Sequence, residues 1–161
     1  MRIREADITD HDAIWAILEP TIRDGSTLTL PRDMTPGAAL AYWCHPDHEV
    51  FVAADDSAEL VGTFYLRANA RAGGAHVANC GYVTAPWAMG RGVARAMCLF
   101  SFDRAREHGF RAMQFNFVVA TNEAAVHLWQ SCGMAIVGRL PGAFLHPTQG
   151  YVDALVMYRT L

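Results

Sequence analysis

The stretch Thr84-Ala85-Pro86-Trp87-Ala88-Met89-Gly90-Arg91-Gly92-Val93-Ala94 joins the end of an apolar strand, a glycine-rich turn and the start of a helix. The first N–H groups of a helix have no internal partner and carry partial positive charge, and glycines let a phosphate come close to the backbone. The turn therefore reads as an anion cradle. A dinucleotide fingerprint would sit near the first strand of the chain with an acid at the end of the next, and a P-loop would follow its glycines with Lys and Ser or Thr. Neither pattern is present. Two polar residues also interrupt apolar strands: Asn79 lies between Ala78 and Cys80, and Asn116 between Phe115 and Phe117. A buried amide finds hydrogen-bond partners or costs stability. Each asparagine thus either bonds a neighbouring backbone group or serves a substrate.

Other reactive residue types form no site. Cys44, Cys80, Cys98 and Cys132 lie far apart without a CxxC pair, which fits reduced thiols packed as small hydrophobes. The seven histidines make no compact ligand motif, so no metal is expected. His45 and His48, close to Asp47 and Glu49, read as part of a solvated turn around Pro46.

The chain has 161 residues, 52% of them apolar, and a mean hydropathy of +0.11, enough for a core within one domain spanning 1–161. Lys and Arg are scattered and the formal net charge is −3, so no nucleic-acid-binding face is expected. The charged start MRIREADITD shows neither a secretory signal nor an anchor, and no apolar run reaches membrane-span length. A cytoplasmic location is the expectation.

The elements that must position the cradle alternate. Ile3–Ala6 reads as a strand, and Thr9 or Asp10 caps a helix through Ile14, Ile17 and Leu18 that should bend or stop at Pro20. Gly25–Pro31 reads as a loop, and Thr35-Pro36 opens a second helix that ends near Pro46. Val50–Ala54 and Leu60–Leu66 form a hairpin, and His76–Val83 a further strand. A helix runs from Gly92 to His108-Gly109, a strand from Met113 to Val119, and a helix from the Asn122 cap to Gly133. Two last strands, Met134–Leu140 and Tyr151–Tyr158, flank a loop containing Pro141-Gly142 and His146-Pro147. The order β-α-α-β-β-β-α-β-α-β-β is a mixed α/β domain.

Met89–Ala94 resembles the acetyl-CoA pyrophosphate loop of the GNAT superfamily, Gln/Arg-x-x-Gly-x-Gly/Ala: Gly92 and Ala94 match the small positions, and Met89 departs from Gln or Arg. Downstream, Asn122–Met134 resembles the same family's Asn-x-x-Ala-x-x-Leu-Tyr/Trp-x-x-x-Gly-Phe/Met segment. The resemblance implies a GNAT-type sheet, mostly antiparallel and splayed between the fourth and fifth strands, flanked by helices and binding acetyl-CoA as cosubstrate. It also implies that Tyr82, Val83 and Thr84 meet the acetyl and pantetheine groups, and that Met89, Gly90, Arg91, Gly92, Val93 and Ala94 hold the pyrophosphate. Asn122, or its capping role alone, stands beside the pantetheine with Trp129. Trp129 occupies the place where many relatives carry a proton-donating Tyr; an indole is too weak an acid, leaving His127, Cys132 or water.

By the same resemblance Asn79 and Asn116 flank the gap, where their carboxamides would bind the acceptor or orient a water that collects the amine's proton. Thr27, Thr29 and Tyr65, with Trp43 and Phe64, are candidate walls of the acceptor pocket. Phe115–Asn122 with Leu128-Trp129 is similar to a subgroup related to fungal acetyltransferases of proline analogues such as azetidine-2-carboxylate, which points to a small amino or imino acid. A homodimer is compatible with that family. Two alternatives stay open: acetylation of peptides or proteins, and a non-catalytic acetyl-CoA-binding domain.

Overall fold

The computed structural model describes residues 1–161. The 3-10 turn Ile8–Asp10 that leads into the first α-helix is fixed by a reciprocal cap: Asp7 accepts the Thr9 N–H at 2.8 Å, and the Asp10 carboxylate accepts the Asp7 N–H at 2.9 Å. The same carboxylate takes both Arg4 Nη groups at 2.7 and 2.8 Å, tying strand β1 (Arg2–Glu5) to helix α1 (His11–Asp24). Of the two outcomes expected at Pro20, a bend or a stop, α1 does not stop; it runs to Asp24, where Gly25 at φ +71° closes it. The missing N–H of a mid-helix proline costs about 3 kcal/mol. Beyond it, however, Ile22 is fully buried, worth roughly 1.5–3 kcal/mol, and Arg23 donates to the Met34 carbonyl at 2.9 Å.

Helix α2 (Pro36–Trp43) follows, then β2 (Glu49–Ala54), β3 (Leu60–Ala68), β4 (Val77–Thr84), α3 (Val93–Glu107), β5 (Ala112–Val119), α4 (Glu123–Ser131), β6 (Ala135–His146) and β7 (Gly150–Thr160). The strands form one sheet in the order β1-β2-β3-β4-β5-β7-β6, antiparallel except between β4 and β5. This is the expected mixed, mostly antiparallel fold with its crossover at the fourth and fifth strands. Helix α3 packs on one face of β3, close enough that a Cβ on Gly62 would collide with Val93 and Met97. On the other face, Trp43 from α2 donates its indole N–H to Thr63 Oγ1 at 3.0 Å, and that hydroxyl donates to the Phe51 carbonyl at 2.9 Å. Trp43 and Phe64 are 2% and 0% exposed, so both are core and not pocket walls.

Three register shifts shape the second half of the sheet. β6 continues through Pro141-Gly142, which the sequence placed in a loop, and only residues 147–149 turn. Its register on β7 shifts between Ile136 and Gly138 and again between Leu140 and Phe144. Asp153 holds the second bulge, accepting the Gly142 N–H at 2.9 Å and Arg139 at 2.7 Å. The third shift lies in β5 between Phe115 and Val118, so Asn116 and Phe117 occupy a bulge. A bulge bends and twists its strand, and this one lies just beyond the last residue of β5 that pairs with β4.

Candidate active site

β4 and β5 pair only at Val77–Ala112 and Ala78–Met113, and beyond that point they separate. The register of β4 on β3 decides which backbone groups face the opening. The Asn69 N–H donates to the Val77 carbonyl and the Ala85 N–H to the Val61 carbonyl, so odd-numbered residues of β4 bond to β3. Antiparallel ladders alternate; Cys80, Tyr82 and Thr84 therefore turn their N–H and C=O groups into the gap. Val83 differs from the expectation for it: its backbone is committed to β3 and its side chain is buried.

The apex of the gap is closed by a side chain. Asn79, 5% exposed, donates from Nδ2 to the Gln114 carbonyl of β5 at 2.9 Å and accepts from Arg67 Nε at 3.2 Å. Its amide is thus engaged within the protein. The reading of Asn116 as a second buried amide is corrected: the bulge carries it to the surface, where it donates to Asn69 Oδ1 at 2.7 Å and accepts from Gln114 Nε2 at 2.9 Å.

Below the gap, Tyr82 reaches towards α3. Ser101 Oγ gives its only proton to the Cys98 carbonyl at 2.8 Å, so the Tyr82 hydroxyl donates to Ser101 at 2.7 Å. Burial pushes this phenol well above its ordinary pKa and the neighbouring Cys80 thiol up to about 12. Neither is poised to ionise. Trp129, 8% exposed, lies with its ring centroid 5.0 Å from Tyr82 and 5.3 Å from Phe115, so it packs both sides of the gap together. His127 is exposed and Cys132 is buried, its thiol beside that of Cys98 and 3.9 Å from Arg95.

The cradle stands at the far end of β4. Gly90 and Gly92 have φ +75° and +77°, and a Cβ on either would meet nothing within 4 Å. The backbone conformation therefore calls for glycine while the space above stays open. α3 has no side-chain cap, and its first ladder bond runs from the Ala96 N–H to the Gly92 carbonyl. The N–H groups of Val93, Ala94 and Arg95 are the free donors of that terminus. Met89 is 69% exposed. Arg91 is tied aside by its guanidinium, 3.0 Å from Asp55 in the β2–β3 turn; the Ser57 hydroxyl and then Arg91 hold that carboxyl down to about pKa 2. Asn122 caps α4 by accepting the Ala125 N–H at 3.3 Å.

Tyr65 covers the gap from the α2 face. A Cβ on Gly81 would sit 2.7 Å from its ring and 2.9 Å from its hydroxyl oxygen, so glycine is what lets the ring lie across β4. Thr27 and Thr29 lie on the α1–α2 loop, half-buried and exposed. His48 was missed by the sequence reading. It is half-buried, stacks on Tyr65 at 4.1 Å and lies 2.9 Å through Nδ1 from the Trp43 carbonyl. A carbonyl only accepts, so Nδ1 carries the proton and Nε2 the lone pair. Burial, assisted by the charge of Arg67, draws its pKa below the usual value.

Residues 13–134 match the Acetyltransferase (GNAT) family. The structure superposes on that of a GCN5-related N-acetyltransferase from Kribbella flavida with a TM-score of 0.94 and 39% identity, covering 99% of this chain and 97% of that one. The chain is 30% identical over 103 residues to the N-acetyltransferase aca1 of Schizosaccharomyces pombe, 63% of this chain and 49% of that protein. It thus spans about half the length of this curated relative. The protein yncA of Salmonella typhimurium, solved with its cofactor acetyl-CoA, shares the fold at a TM-score of 0.88 and 21% identity, over 100% of this chain and 94% of that one. Cradle, splayed strands and family match agree: the chain belongs to the GNAT family of N-acetyltransferases.

Proposed function

We propose that this N-acetyltransferase transfers the acetyl group of acetyl-CoA directly to the amine of a small molecule in the cytoplasm, an amino or imino acid being the acceptor class. The observation that carries this reading is the line of unpaired backbone groups on Cys80, Tyr82 and Thr84, which leads to the free N–H donors at the start of α3. Acetyl-CoA supplies the activated thioester; the open edge and the glycine cradle fit its pantetheine and pyrophosphate. Backbone N–H groups of β4 are fixed donors for the oxyanion that develops in acyl transfer. His48, neutral and with a free Nε2 lone pair, is the base on the acceptor face, directly or through water. The Tyr82 phenol is committed to Ser101 and Trp129 has no usable acid, so the thiolate takes its proton from solvent. The similarity to the S. pombe enzyme supports the fungal-type subgroup.

The test is coenzyme A release measured across amino acids, imino acids, simple amines and peptides. Turnover with small amines and none with peptides is expected. Turnover confined to peptides would give the alternative acceptor class, and acetyl-CoA binding without turnover on any amine would make the chain a sensor domain.

A further inference from the structure

Arg67 is a cation without an acid. It lies on β3 directly opposite Asn79, half-buried, and forms no ion pair; its one side-chain hydrogen bond joins Nε to the neutral Asn79 carboxamide at 3.2 Å. Asn79 in turn is fixed by the Gln114 carbonyl, so the Arg67 guanidinium is anchored through Nε to the latch at the apex of the gap. The groups around it are neutral. Asn69, Gln114 and Asn116 form a chain of amides beside it, and Tyr65 and His48 both feel the Arg67 charge. Arg4, Arg23, Arg91, Arg104, Arg106 and Arg139 have carboxylate partners; Arg2, Arg32, Arg71, Arg95, Arg111 and Arg159 have none either, but Arg67 alone is hydrogen-bonded to the Asn79 latch.

A half-buried guanidinium with both Nη groups uncommitted is a carboxylate receptor, because planar bidentate recognition is what that group does best. Tyr65, two residues along β3, lies over Gly81 beside the backbone donors of Cys80 and Tyr82. Two residues of a strand cover about 6.6 Å, a span that a long arginine side chain shortens. An α-amino acid whose amine lies at that point can place its carboxylate on Arg67. We infer that Arg67 binds the acceptor's α-carboxylate.

This inference rests on the small-molecule reading above, and its test separates the two. Rates are measured on L-proline, L-azetidine-2-carboxylate, L-alanine and L-methionine, each against its own carboxamide, for the wild type and Arg67→Met. The wild type should favour the acids by at least about tenfold in kcat/KM, a difference of about 1.4 kcal/mol. Arg67→Met should lose that preference through KM, the acids falling further than the carboxamides. The acid-to-amide ratio is taken within one preparation, so a partly unfolded variant does not mimic the effect. Equal rates on acids and carboxamides in the wild type, or an equal fall for both in the variant, would overturn the role of Arg67 and leave small-molecule acetylation standing. No turnover of any acid or carboxamide by a wild type that binds acetyl-CoA would overturn both.

Discussion

Asn79, Asn116 and His48 are ordinary residue types whose roles follow from where the backbone puts them. The sequence revealed that two amides interrupt apolar strands; it did not reveal that a bulge lifts Asn116 out while Asn79 latches the apex, since bulges depend on register with a distant strand. His48 was illegible for a similar reason. A histidine beside Pro46 reads as solvated, and only the sheet brings it onto Tyr65. Its lowered pKa has a definite sign. In the unfolded chain His48 takes up a proton near pH 6.5, while in the fold it resists until lower pH, with desolvation and Arg67 opposing the charge and Asp47 favouring it. The unfolded state binds more protons in that window, so stability falls as pH falls through it. Thermal unfolding from pH 7.5 to 5 should therefore drop more steeply for the wild type than for His48→Gln, and parallel curves would mean that His48 titrates alike in both states.

Among the elements, those decided by local chemistry were legible and those decided by partners were not. The Thr35 and Asn122 caps, and Gly109 and Gly133 just past the ends of α3 and α4, stand where the pattern put them. Helix α1 passing Pro20 was undecided locally and β6 passing Pro141 was missed, because burial of Ile22 and the Asp153 side chain override a local breaker. The strand-to-helix turn at Gly90 and Gly92 permits a clean test of the cradle. Replacing Gly92 by any L-residue imposes a left-handed backbone at about 1–2 kcal/mol, but no clash. Gly92→Ala and Gly92→Glu share that strain; only the second puts a negative charge over the free N–H groups of α3. Like-charge opposition costs several kcal/mol, so acetyl-CoA affinity in calorimetry should fall about 100-fold further in Gly92→Glu than in Gly92→Ala. Equal losses in the two folded variants would place the phosphates elsewhere.

Across the whole molecule the sheet is two blocks, β1 to β4 and β5 to β7, joined by one short parallel contact. The Asn79 latch closes the apex, and Tyr82, Phe115 and Trp129 meet across the gap on the α3 side, so the blocks are held together while the edge of β4 stays open. A closed sheet would protect every amide of β4 alike. An open one should show alternation, because Gly81 and Val83 donate to β3 while Cys80, Tyr82 and Thr84 face the gap. Ladder amides in a core sheet exchange only through opening events, whereas amides without a partner exchange through solvent contact. Residue-resolved hydrogen exchange should therefore find Cys80, Tyr82 and Thr84 fast and Gly81 and Val83 slow in the free protein. Saturating acetyl-CoA should slow Tyr82 and Thr84 selectively, since a pantetheine amide pairing with this edge occupies those groups and leaves the β3 ladder as it was. Uniform protection from Cys80 to Thr84 before any ligand is added would show that the strands close in solution, and the acetyl group would then need another place to bind.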